Sequence, residues 1–252
     1  MTQPIIRFEG VSKAFGTQTV LRDFSLDVEP GAFVSIIGRS GCGKTTVLKL
    51  VNGLLSPDTG RVLIQGQDVA RIDPVALRRR IGYAIQNVGL FPHMTVEKNI
   101  AYVPAISGLK EWKGRQCREK VAALLKQVGL DPALAGRYPR ALSGGQRQRV
   151  GIARALAAGP ELLLMDEPFG AVDEITRGQL QDELLRIHRE SGITVLFVTH
   201  DIAEALKLGT RTLVMDAGQI QQYDAPSRLL AHPATSFVER LVRRSRGFQT
   251  RA

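Results

Sequence analysis

The fold is decided by the stretch Phe33–Thr46, which reads FVSIIGRSGCGKTT. Residues 33–37 form an apolar run typical of a fully buried strand. Residues 38–45 match the pattern G-x-x-x-x-G-K-[ST], and residues 44–52 carry apolar side chains at helical spacing. A strand, a glycine-rich loop and a helix in this order predict a loop whose backbone N–H groups converge on a phosphate group.

The residue types in this loop suit a nucleotide. Its glycines open backbone conformations that are closed to other residues, and the helix that follows directs its positive dipole end at the anion. Lys44 is placed to reach the β and γ phosphates, and the Thr45 hydroxyl is suited to Mg²⁺. The alternative is a glycine-rich turn with a chance lysine, and the flanking strand and helix argue against it. The predicted nucleotide-contacting residues are Gly38, Arg39, Ser40, Gly41, Cys42, Gly43, Lys44, Thr45 and Thr46.

Two adjacent acids follow another apolar run, residues 162–165. Asp166 is predicted to hold Mg²⁺, and Glu167 to polarise the attacking water and accept its proton. Two acids after a strand are more often a solvated strand end, but the phosphate loop in the same chain favours an active site. His200 ends the next strand and is expected at the same sheet edge, where its imidazole would contact the γ-phosphate or orient the water.

A second glycine-rich helix start lies at Leu142–Gln146, which reads LSGGQ. The Ser143 hydroxyl and the N–H groups of Gly144 and Gly145 would form another anion cradle, although the same pattern also fits an ordinary capped helix. With this motif the chain resembles the ATP-binding cassette (ABC) family, which carries LSGGQ as its signature. The likeness covers essentially the whole chain, in the family's order of motifs.

The resemblance implies an α/β fold, a P-loop NTPase of ABC type. Its parts would be a RecA-like core built on a parallel sheet, an N-terminal antiparallel β subdomain and an inserted α-helical subdomain. Within one ATPase domain, residues 1–88 and 160–252 would form the core with the β subdomain, and residues 89–159 the helical subdomain. Strand patterns are absent from residues 90–158, which agrees with this division.

The resemblance also assigns roles, position by position. Gln86 matches the Q-loop glutamine, a sensor of Mg²⁺ and water. Asp166 matches the aspartate that holds the metal, Glu167 the catalytic base, and His200 the switch histidine. Asp173 belongs to the D-loop, where Val172 replaces the more common leucine. The residues that would contact ATP in a second copy are Ser143, Gly144, Gly145 and Gln146.

Phe15 matches the aromatic position that stacks on adenine in the family. Many relatives have tyrosine there, and phenylalanine keeps the stacking face without the hydroxyl. The alternative interpretation is a core residue of an edge strand.

The resemblance implies a mechanism with ATP and Mg²⁺ as cofactors. Two cassettes face each other head to tail, and each ATP lies between the phosphate loop of one and the signature of the other. This chain has one of each motif, so it needs a second ATPase subunit, identical or related. The other implied partners are transmembrane permease subunits and an extracytoplasmic solute-binding protein. The implied location is the cytoplasmic face of the inner membrane, reached through the permease.

Two pairs of segments are similar to the ATPases of osmoprotectant importers, which take up glycine betaine, choline or other quaternary amines. One pair is Tyr83–Gln86 with Gly89–His93, and the other is Pro168–Asp173 with Ile175–Arg177. Residues around Phe91, including Met94, are predicted to receive a short helix of the permease, and the alternative is ordinary packing between the lobes. The alternatives are an importer of another small solute, such as an amino acid or polyamine, and a non-transport ABC ATPase that acts on DNA or ribosomes.

Composition sets wider bounds on function. Of 252 residues, 44% are hydrophobic and 23% charged, which is typical of a globular domain. Lys and Arg number 34 against 24 Asp and Glu, a net charge of +10 (34 − 24) that fits nucleic acid, an anionic membrane surface or phosphate ligands. Aromatic residues are only 6%, which offers little for base stacking, and we predict no nucleic-acid partner.

The two cysteines and the C-terminal arginines give further predictions. Cys42 and Cys117 cannot build a disulfide framework. Cys42 lies beside the positive end of a helix, so its thiol is expected to have a lowered pKa and to react readily. The basic end, which includes Arg240 and Arg243, is predicted to be solvated and partly frayed.

Overall fold

A computed structural model describes residues 3–85, 89–170 and 172–249 of the chain, with side chains up to Arg243. These residues divide into two compact units. The first consists of Met1–Leu77 with Thr194–Ala252, and the second of Arg78–Ile193. The family-based division at 88/89 and 159/160 stays a prediction.

The secondary structure alternates strands and helices along most of the chain. The strands are β1 (Ile6–Phe15), β2 (Gln18–Val28), β3 (Phe33–Gly38), β4 (Thr59–Ile64), β5 (Gln67–Asp68), β6 (Ile81–Ala84), β7 (Leu162–Asp166), β8 (Thr194–Val198), β9 (Arg211–Asp216) and β10 (Gln219–Asp224). The helices are α1 (Lys44–Val51), α2 (Pro74–Arg80), α3 (Val96–Ile100), α4 (Tyr102–Ile106), α5 (Gly114–Gln127), α6 (Gly144–Leu156), α7 (Glu174–Ser191), α8 (Ile202–Leu208), α9 (Pro226–Ala231) and α10 (Ser236–Gln249).

An antiparallel sheet in the first unit has the strand order β2-β1-β4-β5. Ile6 is in register with Val28 on one side and Ile64 on the other. Apolar and polar residues alternate along β1 and β2, so one face is buried, and the rings of Phe8 and Phe24 pack edge to face at 5.1 Å. The predicted antiparallel β subdomain is confirmed.

The strand that leads into the phosphate loop, β3, is the centre of a second sheet in the first unit. It pairs in parallel with β8 on one side and β9 on the other. Flanked on both edges, Phe33, Val34 and Ile36 are fully buried, which explains the apolar run. Strand β10 returns antiparallel to β9 through a turn in which Ala217 and Gly218 have positive φ.

The C-terminal helix α10 packs against this sheet. Phe237, Val238 and Val242 are buried in one cluster with Ile37 and Val214. The predicted fraying of the basic end is therefore wrong for residues 236–243.

The second unit holds the parallel pair β6 and β7 and helices α3–α7. Helix α6 crosses close to β6 at Gly82. A Cβ atom at Gly82 would overlap the carbonyl oxygen of Ala155 and lie 2.9 Å from Leu163 Cδ1. Over the described ranges, no helix has the length and apolar character needed to cross a bilayer.

Replacement of Gly82 by alanine is predicted to lower the free energy of unfolding by about 2 kcal/mol, because the helix must move away from the strand. Gly178→Ala is the matched control. It lies inside α7 with no atom within 4 Å of its added Cβ, and should raise stability by about 0.5–1 kcal/mol. Urea unfolding followed by circular dichroism measures both, and equal effects of the two substitutions would contradict the close packing at Gly82.

Candidate functional site

The phosphate loop needs glycine at two positions because the backbone is crowded there. A Cβ atom at Gly38 would overlap the carbonyl oxygen of Met215 and lie 2.8 Å from Cys42 Sγ. Gly43 has φ of 103°, and a Cβ there would lie 2.9 Å from the carbonyl oxygen of Val20. The loop is therefore fitted closely against β9 and β2.

The Lys44 side chain is hydrogen-bonded to the backbone of the phosphate loop. Its side chain is only 8% exposed, and Nζ donates to the carbonyl oxygens of Gly38 at 2.8 Å and Arg39 at 2.9 Å. Gly43, the N-cap of α1, supplies no side-chain cap, so the first N–H groups of that helix are not covered by one. A buried ammonium beside a helix N-terminus favours an anion at this position.

The hydroxyl side chains of the loop differ in exposure. Ser40 is exposed, Thr45 is half-buried and Thr46 is buried. Thr45 is thus partly accessible at the first turn of α1, as a metal-binding hydroxyl requires.

Cys42 differs from its prediction. The thiol is buried, and this burial raises its pKa, although the positive charge of Lys44 opposes the effect. The expectation of a lowered pKa is wrong because loss of hydration outweighs the nearby charge. Cys42 instead fills the space beside Gly38.

Arg39 is directed away from the loop. Its guanidinium lies 5.1 Å from the ring centroid of Phe237 on α10, and its Nε lies 3.8 Å from Asp216 Oδ1. The side chain is thus engaged with β9 and the C-terminal helix, and only the Arg39 backbone is left to serve the anion. Sequence reasoning missed this contact, since nothing local relates residues 39 and 237.

The Phe15 ring is 48% exposed at the end of β1, with Lys13 Nζ 5.8 Å from its centroid. The alternative interpretation of a core residue is therefore wrong. An exposed ring beside a cation is suited to stacking on a base.

His200 lies next to the start of the phosphate loop. Ile36 on β3 is in register with Val198 on β8, and Thr199 N donates to Ile36 O at 3.2 Å. The parallel strands therefore bring residue 200 to the sheet edge where Gly38 begins the loop, as the sequence predicts.

In the second unit, Asp166 is the last residue of β7 and Glu167 follows it. Asp166 is buried. Burial of the Tyr83 hydroxyl raises the pKa of Tyr83 to about 12, and the negative charge of Asp166 adds to this effect. Glu167 has φ of 47° and precedes Pro168, a combination that a non-glycine residue adopts only under constraint. Such strain is typical of catalytic positions.

The signature motif is a capping box. Ser143 Oγ accepts from Gln146 N at 3.2 Å, and Gln146 Oε1 accepts from Ser143 N at 2.9 Å. The spacing S-x-x-Q carries this signal, and the alternative of a capped helix start is confirmed. The Ser143 hydroxyl hydrogen stays available to an anion, because the oxygen acts here as an acceptor.

An open cavity of about 690 Å³ lies beside the signature in the second unit. Ser143, Gly144, Gly145 and Gln146 line it together with Asp173 and Arg149. Hydrogen bonds from the backbone and side chain of Thr176 lower the pKa of Asp173, and the charge of Arg149 adds to the effect. The predicted signature and D-loop residues are therefore neighbours, and Asp173 is charged at neutral pH.

The segment predicted to receive a permease helix is organised by Asn99. Its buried amide Nδ2 donates to the carbonyl oxygens of Phe91 and Met94, each at 3.1 Å, and Oδ1 accepts from Phe91 N at 2.8 Å. The Phe91 ring packs on Tyr102 at 4.7 Å. The loop is thus fixed by the hydrogen bonds of Asn99, and docking of a permease helix stays a prediction.

Gln86, the predicted Q-loop glutamine, lies outside the described residues.

Comparison with known proteins gives close relatives. The model of the family described as ABC transporter matches residues 21–170. The chain is 46% identical to the glycine betaine/carnitine/choline transport ATP-binding protein OpuCA of Bacillus subtilis (strain 168), over 98% of this chain and 64% of that protein. It is 47% identical to the glycine betaine uptake system ATP-binding protein YehX of Escherichia coli (strain K12), over 96% of this chain and 77% of that protein. The chain thus spans less than two thirds of the OpuCA length.

A solved structure is also similar, namely the dimeric post-hydrolysis state of the ATP-binding cassette MJ0796 bound to ADP and Pi. The TM-score is 0.81 at 33% identity, covering 88% of this chain and 98% of that one. The predicted α/β fold, a P-loop NTPase of ABC type, is confirmed.

Because burial raises its pKa, Cys42 is predicted to react slowly with thiol reagents in the folded protein. In a Cys117→Ala variant, maleimide labelling at pH 8 should be at least about tenfold slower in buffer than in urea. Mass spectrometry of timed samples measures both rates. Equal rates in the two conditions would show that the thiol is accessible and contradict the buried position.

Proposed function

The chain belongs to the ABC transporter family, and on that premise we propose that it binds and hydrolyses ATP to drive an importer of a small solute. The solute class that we propose is an osmoprotectant such as glycine betaine, choline or another quaternary amine. The observation that carries the ATPase proposal is the buried Lys44 ammonium, which donates to the Gly38 and Arg39 carbonyl oxygens of the phosphate loop.

In the first unit, the loop N–H groups and Lys44 receive the β and γ phosphates, and the Phe15 ring stacks on the adenine. His200 lies at the same sheet edge and contacts the γ-phosphate or the attacking water. Mg²⁺, when bound, neutralises phosphate charge, and it prefers oxygen donors with few protein carboxylates. The Thr45 hydroxyl and the Asp166 carboxylate have this chemistry and stay its predicted ligands, with Gln86 as the predicted sensor.

Hydrolysis forms a bond between the water oxygen and the γ-phosphorus while the bond to the β–γ bridging oxygen breaks. Glu167 accepts the water proton, and ADP and phosphate leave. The constrained backbone of Glu167 supports this role, because strain of this kind fixes a side chain in a direction that a relaxed residue would not hold.

The partner that completes each ATP site is a second ATPase subunit, in the simplest case another copy of this chain. Each chain carries one phosphate loop and one signature, and the open cavity beside Ser143–Gln146 and Asp173 is large enough to take part of a nucleotide. The dimeric MJ0796 structure with ADP and Pi supports this arrangement. Permease subunits and an extracytoplasmic solute-binding protein would complete the importer at the inner membrane.

The solute proposal rests on relatives. OpuCA and YehX are named for glycine betaine and related quaternary amines. In the proposed importer the ATPase subunit does not contact the solute, so this chain's own site would not select it. The partner proteins would.

Substitution of Glu167 by glutamine is predicted to lower the ATPase rate by at least about 10²-fold, because the amide cannot accept the water proton. The variant should stay bound to ATP and elute as a dimer in size-exclusion chromatography with MgATP. Glu161→Gln, an exposed acid just before the amino end of β7, is the control and should keep wild-type turnover. Retained turnover in Glu167→Gln, or full activity of a strict monomer, would overturn the proposal.

The transport role is tested by purifying the untagged complex from membranes of its own cells and reconstituting it in vesicles. We expect permease-like subunits to copurify and ATP-dependent uptake of labelled glycine betaine, absent with Glu167→Gln. Uptake of spermidine or an amino acid instead would replace the solute class. Copurification with ribosomes or DNA-repair proteins would overturn the transport proposal.

A further inference from the structure

A buried polar pair lies next to His200 in the first unit. Thr199 Oγ1 donates to Glu204 Oε2 at 2.6 Å, and the two residues are only 2% and 7% exposed. The same Thr199 oxygen accepts from Asp201 N at 3.0 Å. The two residues that flank His200 are therefore joined to each other and to α8 through one hydroxyl group.

Helix α8 is itself fixed to the strand that leads into the phosphate loop. Ser35 Oγ on β3 donates to the carbonyl oxygen of Ala205 at 2.9 Å in a buried contact. Thr199 N donates to Ile36 O on the same strand. The turn that carries His200 is thus attached to β3 at its beginning, through residue 199, and beyond its end, through residue 205.

The hydrogen bond between Thr199 and Glu204 is not needed to cap the start of α8. Asp201 already caps α8, accepting from Ala203 N at 2.8 Å and Glu204 N at 3.3 Å. A carboxyl group beside the fully buried Ala205 and Leu208 is costly unless its hydrogen bonds are good. An O–H···O contact of 2.6 Å is at the strong end of the range for carboxylate acceptors. With an apolar pair of the same shape, Asp201 would still cap α8, but the hydroxyl link between residues 199, 201 and 204 would be lost.

On the basis of the proposed function, in which His200 contacts the γ-phosphate or the water, we propose that Thr199 and Glu204 are positioning residues for His200. Their hydrogen bond fixes the backbone turn at residues 199–201, so the imidazole is aimed before ATP arrives. Orientation set in advance accelerates the chemical step more than it strengthens binding. The inference therefore concerns kcat rather than KM.

The test compares Thr199→Val, which keeps the shape and removes the hydroxyl, with Thr199→Ser, which keeps the hydroxyl. For the full chain with MgATP, Thr199→Val should lower kcat about tenfold with KM for ATP within about twofold of wild type. Thr199→Ser should restore most of the turnover. A Thr199→Val enzyme with wild-type kcat, or a Thr199→Ser enzyme as slow as Thr199→Val, would overturn the proposal.

A second readout separates positioning from stability. With ¹³C-labelled histidine, the His200 Cε1–H resonance is assigned by its loss in His200→Ala. Thr199→Val should shift that resonance and leave those of His93, His188 and His232 in place. An unmoved His200 resonance would overturn the proposal, as would equal shifts of all four. If Thr199→Val does not fold, Glu204→Gln keeps the shape, weakens the acceptor, and should lower kcat at least about threefold with the same resonance shift.

Failure here and failure of the proposed function are distinguishable. Wild-type protein without MgATP turnover in any assembly overturns the proposed function. If the wild type hydrolyses MgATP and His200→Ala does so equally fast, His200 has no role in turnover and the positioning proposal fails with it. If His200→Ala lowers turnover but Thr199→Val does not, only the positioning proposal is overturned.

Discussion

The Lys44 ammonium, held by the carbonyl oxygens of Gly38 and Arg39, is the interaction on which the rest of the first unit depends. A cation buried this deeply is tolerated because two carbonyl dipoles receive its hydrogen bonds. The same contacts hold the positive charge of Lys44 beside the N-terminus of α1. The surrounding packing at Gly38 and Gly43 leaves the loop little freedom to relax, so an anion meets a site that is already ordered.

The parallel pairing of β3 with β8 also fixes where His200 lies relative to the phosphate loop. Because β3 and β8 run side by side, the phosphate loop and His200 follow their strands at the same edge of the sheet. Ser35 on β3 donates a hydrogen bond to Ala205 on α8, and Thr199 N donates one to Ile36 on β3. In the second unit, the capping box at Ser143 and Gln146 and the charged Asp173 form a separate cradle. The phosphate loop and the signature are therefore each held by hydrogen bonds and packing within their own unit.

Much of this arrangement could be predicted from sequence because it depends on local patterns. The strand–loop–helix at residues 33–52, the turn at Ala217–Gly218 and the edge position of His200 follow from short-range rules. What could not be predicted depends on long-range packing. The contact of Arg39 with Phe237 joins residues far apart in the chain. Burial raises the pKa of the Cys42 thiol, and the residues beside it in the sequence do not indicate that burial. The organisation of Phe91 and Met94 by Asn99 likewise needs coordinates.

The stacking of Arg39 on Phe237 has a mechanical consequence. It joins α10 to the second residue of the phosphate loop, while Phe237, Val238 and Val242 pack in one buried cluster with Ile37, the residue that precedes the loop. A movement of α10 would therefore have to break these contacts or move the start of the loop.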